Sequence, residues 1–359
     1  MSEAPIMQME GVKRHYVQPS DFIDRLGRRL RGRGNPPPVQ AVMGVDLDIM
    51  HGEVLAIVGE SGCGKTTLGR MLTGIIPPTA GKVRFRGQDT ARLQGAGRRR
   101  YELAVQMIFQ DPFSSLNPRM RVRDIIGEAP VVHGLVSRAG RDDYVCDLLR
   151  KVGLDPDYRE RYPHQFSGGQ RQRIGVARAL ALKPDIIVCD EAVAALDVSI
   201  QAQVLNLFME LRRDFDLTYV FISHNLGVVS HISDRVAIMY LGRIVELADT
   251  EQVFSAAAHP YTQALLRELP VLSAHKRRFD PIAGELPSPA DPPSGCAFHP
   301  RCPRVMERCR VDRPLLRELA PGHWSACHLN DSTVAGAGDA SGMRIAVGAR
   351  DPDHHTETA

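Results

Sequence analysis

The chain has 359 residues, 43% of them hydrophobic, and a formal net charge of +3, which is enough apolar material for one large α/β core plus an extension. So small a net charge gives no argument for nucleic-acid binding, and no apolar run of about 18 residues is present to span a bilayer. Met1 to Gly11 is polar and acidic with no apolar h-region, so no secretory signal is expected and the cytoplasm is the default compartment.

The first interruption of the chain is basic. Arg25, Arg28, Arg29, Arg31 and Arg33 precede Pro36-Pro37-Pro38, in a stretch that interrupts the first strands and reads as an insertion, its basic cluster either merely solvated or set near anionic lipid head groups. Glu53 to Val58 then forms a short apolar run, read as a buried strand. It leads directly into Gly59-Glu60-Ser61-Gly62-Cys63-Gly64-Lys65-Thr66-Thr67. Strand, glycine-rich loop and helix in that order make a phosphate cradle. Its backbone N–H groups point inward, Lys65 reaches the terminal phosphates, and the Thr66 hydroxyl is a candidate Mg²⁺ ligand. Gly95 to Arg100 reads as a flexible basic loop. Residues 111–182 read as mostly helical, with Asn117-Pro118 at a turn.

Phe166-Ser167-Gly168-Gly169-Gln170 precedes a segment, 171–180, whose apolar residues recur at helical spacing. Ser167 therefore sits at an N-cap, with exposed N–H groups that make a second anion site. One nucleotide in one chain needs only one cradle, so the second is expected to complete the γ-phosphate site of a neighbouring subunit; a plain N-cap is the local alternative. Ile186 to Val188 is another buried-strand run and ends in Cys189-Asp190-Glu191. Asp190 is placed to hold Mg²⁺ and Glu191 to polarise the attacking water. Thr218 to Ile222 is a further strand, followed by His224. Strands and helices alternate from Glu53 to Ile244, which predicts a mainly parallel sheet flanked by helices.

After Leu247 the character changes. A His259-Pro260-Tyr261-Thr262 stretch is followed by a proline-rich linker, Pro281 to Pro293, and by Cys296, Cys302, Cys309 and Cys327. Four of the seven cysteines fall within 32 residues, and in a reducing compartment a metal explains them better than disulfides. The spacing C-x5-C-x6-C-x17-C lacks the paired C-x2-C knuckles of structural zinc. A [4Fe–4S] cluster, Zn²⁺ and unligated cysteines all stay open. Cys63, Cys146 and Cys189 read as packing or loop residues, and 331–359 as a disordered tail.

The order and spacing of these motifs over residues 7–330 resemble the ATP-binding subunits of ABC transporters. That resemblance implies a P-loop NTPase core over 1–270 with a helical subdomain at about 111–182, and a Cys-rich metal-binding extension over 271–330. It implies an ATPase that contacts ATP through Gly59, Ser61, Gly62, Cys63, Gly64, Lys65, Thr66 and Thr67. Gln110 matches the Q-loop, which senses Mg²⁺ together with Thr66 and Asp190. Asp197, in Ala195-Leu196-Asp197, matches the D-loop, and His224 the switch histidine at the γ-phosphate. Ser167, Gly168, Gly169 and Gln170 match the signature of the opposing subunit's site. Tyr16 resembles the aromatic that stacks on adenine, although an ordinary strand tyrosine reads the same way. Ala192 and Ala194 depart from the common proline and serine, and put the D-loop geometry in question without removing a ligand or the carboxylate.

The His-Pro-Tyr-Thr stretch and the cysteine arrangement resemble the oligopeptide and dipeptide importer branch, which also points to an iron–sulfur cluster. The partners implied are a second ABC ATPase, with a paralogue favoured by the insertion at residues 20–38, two transmembrane permease subunits and an extracytoplasmic substrate-binding protein. The implied place is peripheral, on the cytoplasmic face of the membrane. Nickel or another small solute is an alternative cargo. A soluble ABC-type ATPase acting on nucleic acid or ribosomes through a zinc module is the alternative function.

Overall fold

The computed structural model describes residues 4–17, 37–111, 114–194, 196–269, 282 and 284–331. The basic cluster at Arg25 to Arg33, Ala195 of the D-loop and the tail beyond Asp331 lie outside the described residues. In chain order, strands β1 (Met7–Tyr16), β2 (Val39–Ile49) and β3 (Val54–Val58) lead into helix α1 (Lys65–Leu72). Next come β4 (Ala80–Phe85), β5 (Gln88–Asp89), α2 (Gly95–Ala104) and β6 (Val105–Ile108). A helical stretch follows with α3 (Val122–Val132), α4 (Arg141–Lys151) and α5 (Gly168–Leu180).

The chain then returns to the sheet with β7 (Ile186–Asp190), α6 (Val198–Phe215), β8 (Thr218–Ser223), α7 (Leu226–Ile232), β9 (Arg235–Tyr240) and β10 (Arg243–Asp249). It closes with α8 (Thr250–Ala256), α9 (Pro260–Arg267), the single turn α10 (Glu307–Val311), β11 (Arg317–Ala320) and β12 (His323–Ser325).

The main sheet has the order β11-β12-β10-β9-β3-β8-β7-β6. From β9 through β3, β8 and β7 to β6 all neighbours run parallel. These central strands, for example Val54–Val58 and Thr218–Ser223, are buried along their whole length, as helices on both faces of a parallel sheet require. The parallel expectation stops at β9. β10, β12 and β11 continue the sheet antiparallel, and β1, β2, β4 and β5 form a second, antiparallel sheet of order β2-β1-β4-β5. Apolar residues of the two sheets, Met7, Val12, Leu47, Leu55 and Ile57, share one core with Leu68 of α1.

The expected flexible loop at Gly95 to Arg100 is instead the start of helix α2. One buried side chain decides this: Tyr101 packs its ring 5.6 Å from that of Phe85 and donates its hydroxyl to the Leu72 carbonyl at 2.6 Å. Burial of an aromatic with its polar tip satisfied outweighs the poor helix propensity of two glycines and the mutual repulsion of an arginine run. The arginines stay outside, and Arg98 pairs with Glu102 one turn on at 2.6 Å.

A buried ion pair fixes the base of the central strands. Arg235, the first residue of β9, meets Glu53, just before β3, at 3.2 Å with both side chains less than a tenth exposed. Burial pushes the Glu53 carboxyl above its ordinary range, and the Arg235 charge opposes that shift. At the far edge, β12 pairs with β10 in the register Glu246↔Ser325 and Leu247↔Trp324. The fully buried Glu246 carboxylate accepts the N–H groups of Ala258 and His259 and lies 2.8 Å from His323 Nε2. Residues 317–325 therefore extend the core sheet rather than forming a sheet of their own.

Candidate nucleotide site

The chemistry-bearing residues gather where the parallel strands β3, β6, β7 and β8 end, the side of an α/β sheet on which ligands sit. Two glycines of the loop after β3 leave no room for a side chain. A Cβ on Gly59 would come within 2.1 Å of the Met239 carbonyl oxygen. Gly64 stands at φ +107°, where a Cβ would lie 2.1 Å from the Ala41 carbonyl oxygen. Cys63 is buried between these contacts, and burial raises its thiol. Lys65 Nζ curls back to donate to the carbonyls of Gly59 at 2.7 Å and Glu60 at 3.0 Å. Tyr16 crosses the start of α1 from the other sheet, its hydroxyl 3.5 Å from that of Thr67, and the Arg14 guanidinium lies 4.9 Å from its ring centre.

Thr66 Oγ1 donates to Asp190 Oδ1 at 2.9 Å, joining the two oxygen groups expected at Mg²⁺. Burial raises the Asp190 carboxyl and the neighbouring Glu191 charge adds to this, while the Thr66 hydrogen bond acts against it. Glu191 holds a left-handed backbone at φ 47°, an uncommon conformation for a side chain of this size. Its N–H bonds the Ile222 carbonyl across the strand ends at 3.0 Å. That fixes where the carboxylate emerges: Oε2 accepts from Gln110 Nε2 at 2.6 Å, and Oε1 lies 3.2 Å from His224 Nδ1. The structure thus brings together Lys65, Thr66, Gln110, Asp190, Glu191 and His224.

The second cradle makes its contacts elsewhere. Ser167 Oγ accepts from Gln170 N–H at 3.3 Å and Gln170 Oε1 accepts from Ser167 N–H at 3.1 Å, a reciprocal capping box that satisfies two orphan donors. A Cβ on Gly169 would meet Ile200 Cγ2 at 2.5 Å, and one on Gly168 would lie 3.7 Å from Leu196. The signature helix α5 is therefore packed against the segment around Asp197, which precedes α6.

Cys296, Cys302, Cys309 and Cys327 line one small pocket together with His259 and His328. Burial and the neighbouring thiols push Cys327 up to about 11, and burial also raises Cys296 and Cys302. Among the described residues no group of three or more His, Cys, Asp or Glu is arranged to hold a metal ion, so the expected metal centre has no ready-made coordination geometry.

Glu60, Tyr261 and Arg301 meet at the first cradle without any motif signal for it. Arg301, one residue before Cys302, forms two hydrogen bonds to the Glu60 carboxylate at 2.7 and 2.9 Å, and the Tyr261 hydroxyl accepts the Glu60 N–H at 2.9 Å. Glu60 occupies one of the variable positions of its motif, so only the fold reveals these partners.

Residues 42–194 match the family model described as ABC transporter, and residues 245–309 the one described as oligopeptide/dipeptide transporter, C-terminal region. The chain is 47% identical over 336 residues to a probable peptide ABC transporter ATP-binding protein, y4tS, of Sinorhizobium fredii, covering 93% of this chain and 92% of that one. It is 48% identical over 332 residues to the oligopeptide transport ATP-binding protein AppF of Bacillus subtilis, covering 91% and 98%. Among solved structures, cbiO1 from Clostridium perfringens, part of the ABC transporter complex cbiONQ, superimposes with a TM-score of 0.58 at 24% identity over 71% of this chain and 92% of that one. Matched over more than nine tenths of its length, the chain belongs to the ATP-binding subunits of ABC transporters, in the oligopeptide/dipeptide branch.

Proposed function

We propose that this chain hydrolyses ATP to energise the import of short peptides through a pair of membrane permease subunits. The observation that carries the reading is the Glu191 carboxylate held between Gln110 and His224 beside the Thr66–Asp190 pair, in a chain whose relatives are named for peptide transport. Gly59, Ser61, Gly62, Cys63, Gly64, Thr66 and Thr67 would wrap the phosphates and Lys65 would exchange its two carbonyl partners for phosphate oxygens. Thr66 and Asp190, with Gln110 nearby, would hold Mg²⁺. Glu191 would take the proton of the attacking water while His224 meets the γ-phosphate, and Tyr16 would stack on adenine.

Ser167, Gly168, Gly169 and Gln170, with Asp197, would serve the ATP of a second cassette. The remaining N–H groups of their helix N-terminus would face that anion, and in this chain Gly168 and Gly169 lie beside Leu196 and Ile200. A paralogous cassette, a substrate-binding protein and a position on the cytoplasmic face of the membrane complete the proposed system. No described helix is long and apolar enough to cross a membrane.

Cys296, Cys302, Cys309 and Cys327 are the donors we propose for a [4Fe–4S] cluster. Four soft sulfur donors line one pocket, the donor chemistry of such a group, although they are not held in its coordination geometry, and its charge would offset the burial that raises the Cys296, Cys302 and Cys327 thiols. The cluster would cross-link a segment with little core of its own.

The test is purification of the chain from solubilised native membranes, with co-purifying proteins identified, iron, acid-labile sulfide and zinc quantified, and peptide-uptake activity measured. Two polytopic proteins, a second ATPase and stoichiometric iron and sulfide are expected. Recovery with ribosomes or nucleic acid and no membrane partner would overturn the importer reading, and stoichiometric zinc without sulfide would overturn the cluster.

A further inference from the structure

The cysteine-bearing segment and the first phosphate cradle are joined by an ion pair between a buried guanidinium and a half-buried carboxylate. Arg301 is 7% exposed and its guanidinium grips both oxygens of Glu60, at 2.7 and 2.9 Å. The Glu60 hydrogen bond holds Arg301 firmly protonated. Glu60 is fastened at two further points, because its N–H donates to the Tyr261 hydroxyl at 2.9 Å and its carbonyl accepts from Lys65 Nζ at 3.0 Å.

The seat below this link is aromatic. Tyr240 from the end of β9, Tyr261 from α9 and Phe298 from the cysteine segment pack with ring centres 4.7 to 5.4 Å apart, and the Arg301 guanidinium lies 5.9 Å from the Tyr240 ring centre. A bidentate guanidinium–carboxylate pair with its guanidinium buried against this seat is geometrically exacting.

We propose that Arg301 is a positioning residue for ATP binding, acting through Glu60. Glu60 lies in the cradle itself, five residues before Lys65, so its carboxylate, left alone, would repel the phosphates that the loop must attract. Arg301 cancels that charge and fixes the loop carbonyl that Lys65 must release when phosphate enters. The cysteine segment thereby sets nucleotide affinity, and anything that displaces residues 296–302 is felt at the phosphates. The inference rests on the nucleotide reading of this loop.

The experiment is equilibrium titration of the full chain with ATP, followed by fluorescence, for wild type, R301K, R301Q, E60Q and the double variant R301Q/E60Q, with Tm and the Cys-segment iron content measured alongside. Failure of the wild-type chain to bind ATP would refute the nucleotide reading itself. With wild-type binding in place, R301Q is expected to raise Kd at least about tenfold, the factor that about 1.4 kcal/mol represents. R301K should fall between R301Q and wild type, and R301Q/E60Q should recover most of the affinity because the exposed anion is gone. Unchanged Kd in R301Q would overturn the proposal. So would an equal Kd for R301Q and R301Q/E60Q accompanied by equal loss of Tm and iron, since that pattern means collapse of the segment rather than a misplaced charge.

Discussion

Glu191→Gln is the substitution whose consequence the structure defines most closely. The replacement keeps the shape of the side chain, the φ 47° backbone and the N–H bond to Ile222, so the fold should be untouched. What it removes is the one carboxylate held by Gln110 at 2.6 Å and by His224 at 3.2 Å, while Asp190 stays on Thr66. A positioned general base contributes about 10²- to 10⁴-fold, which at about 1.36 kcal/mol per decade is roughly 3 to 5.5 kcal/mol of barrier. Substrate binding should not weaken, because an anion close to the phosphates has gone; the same loss relieves one of the charges that raise Asp190.

The assay is single-turnover phosphate release set beside equilibrium ATP binding by the same preparation. A fall of 10² or more in the hydrolysis rate with Kd equal to or below that of wild type is expected. A rate within about fivefold of wild type, or a loss of rate fully matched by a loss of binding, would refute the assignment of Glu191 as the base.

Gly64→Ala forces a side chain onto a φ of +107° and against the Ala41 carbonyl oxygen; strain of about 1 to 3 kcal/mol should lower Tm and abolish ATP binding, read by melting and titration. Arg235→Leu leaves the Glu53 carboxylate buried without its partner, so urea unfolding should show a loss of about 3 to 5 kcal/mol. His259 is fully buried and held neutral, its pKa lowered to about 4 by burial. Between about pH 6.5 and 4 the unfolded chain binds the proton that the fold refuses. This contribution is therefore intact above pH 6.5 and falls by about 2.5 kcal/mol by pH 4.5. In H259N, which can still accept the Tyr261 N–H, the stability gap to wild type should narrow on acidification over that range; a constant gap would show that His259 does not titrate.

The motifs were legible in the sequence because each depends on neighbours in the chain. A buried strand, three glycines and a helix start are all local, and so is the Ser167 N-cap; the strands at Ile186 and Thr218 announce themselves by continuous apolarity. The fate of Gly95 to Ala104 was not legible, since the helix depends on Tyr101 reaching Phe85 and the Leu72 carbonyl, contacts remote in sequence that override local propensity. The same holds for the antiparallel edge, where the register of β12 on β10 is set by the buried Glu246 with His259 and His323.

The chain alone carries the inventory of phosphate-binding and acidic groups and the order in which they occur. Their convergence was decided by the tertiary structure, which places the ends of β3, β6, β7 and β8 side by side and so brings Glu191 to Gln110, 81 positions apart in the chain. The pairing of Arg301 with Glu60 was likewise invisible in the chain, where 241 positions separate them. No periodicity encodes such a pair, because it exists only once the aromatic seat has brought the cysteine segment against the cradle and buried the Arg301 guanidinium beside the Glu60 carboxylate.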